Sequence, residues 1–134
     1  MLTGVLKPSG GDATVYGKRI TGQIDQVQQD LGLCQQFDVL FDRLTIREHL
    51  ELICAIKCMP EEEIAGAIQE TLGQVMLAEH CDKKIIELSG GMKRKVSLAM
   101  AIVTRPRVLI LDEPTSGLDV ESRRQVWKLI KTLK

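Results

Sequence analysis

Two short segments of this 134-residue chain hold residue types that can do chemistry. The first is Asp112-Glu113, directly after the apolar run Val108-Leu109-Ile110-Leu111. A run of that length reads as a parallel strand buried on both faces. Such a strand delivers its last side chains to the crevice at the carboxyl edge of the sheet, where open α/β folds bind ligands. One carboxylate there can hold Mg2+ through its waters. The adjacent one points elsewhere, because strand side chains alternate, and it can take a proton from an attacking water. The alternative is an acidic pair that merely caps a strand before the turn at Pro114. The second segment is Leu88-Ser89-Gly90-Gly91, which opens a helix. Its glycines let backbone approach a ligand closely, and the unpaired N–H groups of a helix start make an anion site to which Ser89 adds a hydroxyl. Taken alone, Ser-Gly-Gly is also an ordinary flexible cap.

The elements that must position these groups follow from the pattern. Gly10-Gly11-Asp12 marks a turn, Ala13 to Tyr16 reads as a short strand ended by Gly17, and Leu31-Gly32-Leu33-Cys34 as a second one followed by a loop at 35–38. Thr45-Ile46-Arg47-Glu48 has the form of a capping box, with Ile46, Leu50, Ile53 and Ala55-Ile56 as the apolar stripe behind it. Pro60 suits a first helical position, with Glu61, Glu62 and Glu63 at the positive end of the helix dipole. Ile64, Ala67, Ile68, Leu72, Val75 and Met76 continue that helix. After Gly91, the residues Met92, Val96, Ala99, Met100 and Val103 share one helix face, which Arg105-Pro106 ends. Asp119 can cap a last helix with Val126, Leu129, Ile130 and Leu133 inward. Small strands, then helices, then helix-strand-helix suit an α/β layer.

Composition removes several classes. Eighteen basic residues balance eighteen acidic ones, for a formal net charge of zero, which argues against a counterion-release binder of nucleic acid and against a polybasic membrane anchor. Aromatics are 3% of the chain, namely Tyr16, Phe37, Phe41 and Trp127, too few for a base-stacking surface. The longest apolar run, Val96 to Val103, is broken by Ser97 and falls short of the roughly 20 residues that span a bilayer. No basic segment followed by an apolar stretch marks a signal peptide. Cys34, Cys54, Cys58 and Cys81 lack CxxC spacing. A zinc site would need His80 and Cys81 beside Cys54 and Cys58, and reduced thiols are the plainer reading.

Together the two segments are far more specific than either alone, and with their surroundings they resemble the ATP-binding cassette of an ABC transporter. Leu88 to Met92 matches the signature motif, Val108 to Glu113 matches Walker B with its glutamate, Ser116 to Asp119 matches the D-loop, and Gln36 within Leu33 to Phe41 matches the Q-loop. The resemblance spans essentially the whole chain. Met92, where most cassettes carry Gln, the continuation Lys93-Arg94-Lys95 and the stretch Asp38 to Asp42 are similar to subfamily A, the lipid-exporter-like branch. Gln35 departs from the proline often found before the Q-loop glutamine, which is expected to loosen that loop. Outside this context Gln36 would be an ordinary solvated loop amide.

The resemblance implies a fold, cofactors, partners and roles. The fold is α/β, a partial P-loop NTPase with parallel core strands and a helical signature subdomain: about 38–95 for the helical part with the Q-loop and signature, and 96–134 for the Walker B and D-loop core. The cofactors are ATP and Mg2+. Asp112 binds Mg2+, Glu113 is the general base, and Gln36 reaches both Mg2+ and the attacking water. Ser89, Gly90 and Gly91 contact the nucleotide held by a second cassette in a head-to-tail dimer, and Asp119 communicates across that dimer. The cassette lies on the cytoplasmic side and couples to transmembrane domains, with no nucleic-acid partner.

No Gly-x-x-x-x-Gly-Lys-Ser/Thr phosphate loop occurs in the chain. Gly11 to Lys18 imitates one, but its spacing is one residue too long and Arg19 replaces the hydroxyl, so it reads as strand and turn. By resemblance that loop would precede Met1, Met1-Leu2-Thr3-Gly4 being similar to the tail of the helix after it, and the adenine-stacking aromatic would also lie upstream. The switch histidine would follow Lys134, and His49 and His80 are read as surface or helix-packing residues. Without the phosphate-cradling amides, nucleotide affinity is expected to collapse. By resemblance the strand leading into that loop would be a central neighbour of Val108–Leu111, and its absence is expected to leave that strand with unpaired backbone, so that the chain alone is marginally stable, aggregation-prone and without ATPase activity. A truncated, non-catalytic cassette acting only as a dimerisation or signature half-site partner is the alternative. A soluble ATPase of translation or DNA repair is disfavoured by the balanced charge and the subfamily-A-like signature.

Overall fold

The structure is a computed structural model and describes residues 3, 4, 6 and 8–133. Met1 and Leu2 of the expected helix tail lie outside these residues, while Thr3 and Gly4 form a turn with Gly4 at φ +82°. The chain then makes a small antiparallel hairpin from β1 (Thr14–Val15) and β2 (Lys18–Arg19). Its two-residue turn, Tyr16-Gly17, has positive φ at both positions, as hairpin turns matched to strand twist require. Tyr16 therefore belongs to the turn and not to the strand expected over Ala13 to Tyr16. Asp12 holds the hairpin closed, accepting from Ala13 N, Thr21 Oγ1 and Arg19 Nε. The segment that imitates a phosphate loop is thus a strand and a turn.

Helix α1 (Ile24–Asp30) is an element that the sequence pattern does not mark. It is seven residues long and buries only Val27, so it carries too little apolar periodicity to announce itself. Its carboxyl end is held from a distance, with Lys57 Nζ donating to Gln28 O and, at 2.8 Å, to Leu31 O. Burial pushes the Lys57 ammonium below the usual lysine range.

Strands β3 (Leu31–Cys34) and β4 (Val108–Leu111) pair in parallel, with Leu31 opposite Val108 and Cys34 opposite Leu111. The ladder runs one step further through Asp112 N to Cys34 O at 2.9 Å. Leu109 and Leu111 pack against the main core, and Val108 and Ile110 against a smaller cluster of Ile20, Val27 and Leu31. Apolar contacts thus lie on both faces of β4 as expected, yet all four of its residues stay half-buried. The reason is that β3 is its one neighbouring strand among the described residues.

The main core joins four helices, α2 (Ile46–Ile56), α3 (Glu61–Gln74), α4 (Gly90–Ile102) and α5 (Val120–Thr132). The capping box of α2 is present, with Glu48 N donating to Thr45 Oγ1 at 3.1 Å and Thr45 N to Glu48 Oε2 at 2.7 Å. Its buried face is Ile46, His49, Leu50 and Cys54, whereas Ala55 and Ile56 are exposed. The stripe follows i, i+4, i+8 from Ile46, which carries Ala55 and Ile56 round to solvent. His49 is fully buried because both ring nitrogens are used, Nδ1 on Thr45 O at 2.8 Å and Nε2 accepting from Phe41 N at 2.9 Å. Pro60 is the N-cap of α3, one place before the first-turn position expected for it. The helix ends at Gln74, where the chain turns left-handed at Met76 (φ +57°) and leaves that residue exposed while Leu77 is buried. Cys54 is buried and Cys58 exposed, and no group of three or more His, Cys, Asp or Glu among the described residues is placed to hold a metal ion by itself. Cys54, Cys58, His80 and Cys81 do not come together as such a group. No helix among them is long and apolar enough to cross a membrane.

Helix α4 lies directly on β3, and the contact is made possible by one missing side chain. A Cβ at Gly32 would stand 2.0 Å from Ala101 O and 2.7 Å from Pro106 Cγ. We expect Gly32→Ala to destabilise the fold by about 1–3 kcal/mol, toward the upper end because the obstacle is backbone. Gly66→Ala on the exposed, uncrowded side of α3 should stabilise by about 0.5–1 kcal/mol. Denaturant midpoints of the two variants moving in the same direction would contradict this account.

Candidate functional site

Because β3 and β4 run side by side in register, the residues that follow them emerge at one edge. Gln35 and Gln36 leave β3 there, and Asp112 and Glu113 leave β4. Gln36 Nε2 donates to Glu113 Oε2 at 3.3 Å, joining residues 77 positions apart. Both carboxylates and the Gln36 amide are exposed, so they face open space instead of being consumed by packing. Glu113 occupies a left-handed conformation at φ +42°. A non-glycine residue held there stores strain of the order of 1–3 kcal/mol, a feature that concentrates at functional sites.

The strain is restrained by the middle side chain of Lys93-Arg94-Lys95. Arg94 leaves α4 and is 3% exposed. Its Nε donates to Pro114 O at 2.8 Å, one terminal nitrogen to Asp112 O at 3.2 Å and Glu113 O at 3.0 Å, and the other to Gln35 O at 2.6 Å and Asp38 Oδ1 at 3.1 Å. Asp38 also accepts from Ser97 Oγ at 2.7 Å, one turn further along α4. The loop after β3 and the turn after β4 are therefore bolted to the same helix. The partners of Arg94 are mostly backbone carbonyls, which carry no residue signature, so spacing could not have revealed them.

Ser89 is the N-cap of α4, its Oγ accepting from Met92 N at 3.3 Å. Ser89 and Gly90 are exposed, and a Cβ at Gly90 would meet nothing within 4 Å, whereas one at Gly91 would press on Ser122 Oγ at 2.7 Å. Ser122 in turn donates to Asp119 Oδ2 at 2.6 Å, and Asp119 Oδ1 accepts from Glu121 N and Ser122 N, both at 3.0 Å. The expected cap of the last helix is thus formed, and the Ser122 hydroxyl that it holds stands against Gly91 at the start of α4. Ser89, Gly90 and Gly91 form one lip, and Gln36, Asp112 and Glu113 another group. The closest polar contact in the second group is the Gln36–Glu113 bond.

The residues present suit part of a nucleotide–magnesium site. Asp112 and Gln36 offer hard oxygen donors at adjacent strand ends, and Mg2+ is commonly held by one or two carboxylates with phosphates and waters completing its shell. A phosphate cradle is not among the described residues, since the hairpin at 14–19 has the wrong geometry for one.

The fold is that of an ATP-binding subunit. A solved structure described as the ATP-binding subunit of an ABC transporter superposes with a TM-score of 0.82 at 24% identity, covering 98% of this chain and 55% of that one. The P-loop NTPase class expected from the motifs is the class observed. The sequence model of the ABC transporter family matches residues 1–116, and the chain belongs to that family. It is 44% identical over 130 residues to human ATP-binding cassette sub-family A member 2, across 97% of this chain and 5% of that protein. It is 40% identical over 134 residues to mouse phospholipid-transporting ATPase ABCA3, across 100% of this chain and 8% of that protein. The chain therefore spans a small fraction of the length of either relative.

The Asp119 cap makes a pH-dependent prediction. The Ser122 hydroxyl first, then the Ser122 and Glu121 amides, hold the Asp119 carboxyl below its usual value of 3.8. A group whose folded pKa is depressed contributes stability above its unfolded pKa and loses it as the pH falls through the lower folded value. Asp119→Ala should speed amide exchange at Glu121 and Ser122 near neutral pH. Asp119→Asn keeps a neutral acceptor, so its difference from wild type should shrink below about pH 4. A difference that persists unchanged into that range would show that the carboxylate charge is not what holds the turn.

Proposed function

We propose that this chain is a segment of the ATP-hydrolysing cassette of an ABC transporter that moves lipid-like substrates, positioned on the cytoplasmic side of its membrane. The observation that carries this reading is the Gln36–Glu113 contact, which brings the ends of two parallel strands to one point beside Asp112. The resemblance to a phospholipid-transporting relative supports the substrate class. We divide the chain into a helical part, about 38–95, and a core, 96–134, with α4 crossing from one to the other.

When bound, ATP with Mg2+ supplies the phosphoryl group and the positive charge that offsets its transfer. Asp112 would hold Mg2+ through its exposed carboxylate. Gln36 donates from its amide nitrogen to Glu113, and its amide oxygen would be a second ligand for the metal. Glu113 accepts the proton of the attacking water, a step worth typically 10²–10⁴-fold for a well-placed base. Ser89, Gly90 and Gly91 act on the nucleotide of a second cassette. The exposed Ser89, the unobstructed Gly90 and the first N–H groups of α4 can close on an anion arriving from outside the chain. Asp119, fixed behind Gly91 through Ser122, supports that lip and faces the same partner. The transmembrane domains of the same transporter complete the assembly.

Glu113→Gln in the full-length protein is the test. It keeps the size and the hydrogen bonding to Gln36 but cannot take a proton. ATP turnover should fall by about 10²–10⁴-fold with nucleotide binding preserved. Turnover within twofold of wild type would remove Glu113 as the base and this reading with it.

A further inference from the structure

Arg94 is a buried cation for which the roles above have no use. All five of its N–H groups are engaged, the full donor set of a guanidinium. The acceptors fall in two groups. Gln35 O and Asp38 Oδ1 bracket Gln36, and Asp112 O, Glu113 O and Pro114 O bracket Glu113. Three successive carbonyls can turn toward one guanidinium only if the chain reverses between them, and the left-handed Glu113 at φ +42° supplies that reversal. The same cation therefore fixes the backbone on both sides of the 3.3 Å contact between the amide and the carboxylate.

We propose that Arg94 is a positioning residue for ATP hydrolysis: it sets the Gln36 loop and the Glu113 turn in register with each other and with the helix that begins at Ser89. The proposal rests on the reading of Glu113 and Gln36 as hydrolytic residues. Lysine cannot substitute for it fully, because an ammonium has three donors at one point where the site uses five along a planar fork.

The test compares Arg94→Ala, Arg94→Lys and Glu113→Gln in the full-length protein, using ATP kinetics and amide exchange in the nucleotide-free state. For Arg94→Ala we expect exchange to speed at least tenfold at 35–38 and at 112–116 together, while the amides of α3 stay protected. We expect kcat to fall at least tenfold with KM for ATP within about threefold, and Arg94→Lys to lie between it and wild type on both measures. A kcat within twofold of wild type overturns the proposal even if exchange rises, and so does loosening of one segment without the other. Should Arg94→Ala fail to fold, the same criteria apply to Arg94→Lys. If Glu113→Gln hydrolyses ATP normally, the hydrolytic reading fails instead, and the exchange pattern alone then decides whether Arg94 joins the two segments.

Discussion

A guanidinium almost wholly removed from water must have its charge and all its donors answered from within the protein, since an unpaired buried charge is among the costliest features a fold can contain. Arg94 meets this condition with one carboxylate and four carbonyls. The condition works in both directions. The cation is tolerable only if the loop after β3 and the turn after β4 stand where they do, and those segments keep their shape because the cation is there. Hydrogen bonds to a charged partner contribute about 1.5–3 kcal/mol each, comparable with the backbone strain at Glu113. A left-handed glutamate at a strand end is stable here for that reason, while an isolated strand-turn would relax away from it.

The reach of Arg94 depends in turn on how closely α4 approaches the sheet. Gly32 removes the one Cβ that would hold the helix off, and Ala101 O occupies the space it leaves. Arg94 sits toward the other end of the same helix, so the packing at Gly32 fixes the base from which the guanidinium extends. Ser97, three residues further along, reaches Asp38 from that base as well. Local packing at an apolar strand thus governs the geometry of polar groups at its end. A rigid scaffold positioning reactive loops is the usual division of labour in such folds.

The features legible in the residues were those whose cause is local. The capping box at Thr45, the caps at Ser89 and Asp119, and the strands at 31–34 and 108–111 each depend on residues next to one another. Helix α1 was missed because it is short, rich in Gln and held by Lys57 from 26 residues away. The stripe of α2 was displaced because a histidine and a cysteine, both chemically ambiguous, take the inward positions that Ala55 and Ile56 were expected to share. Arg94 was hidden for a deeper reason. Three basic residues in a row on a helix look like a solvated face, and four of its five acceptors are carbonyls that any residue would offer. Only the meeting of two segments that lie 18 to 20 and 56 to 59 positions from Arg94 gives such a side chain its meaning.

The two glycines after Ser89 illustrate how one short motif serves an inward and an outward need. Gly91 is closed in, because a methyl group there would collide with the Ser122 hydroxyl that Asp119 holds in place. A Cβ at Gly90 would meet no atom of the described residues within 4 Å, so none of them requires it to lack a side chain. Backbone conformation does not require it either, since Gly90 is the first helical residue and lies outside the left-handed set. A helix normally gains by replacing such a glycine with alanine. Under the proposed function, its presence beside an exposed serine at a helix start fits the approach of a second cassette's nucleotide to the backbone. The internal fold accounts for Gly91, Ser122 and Asp119 as a packed unit, and it leaves Gly90 and Ser89 as the outward edge of that unit.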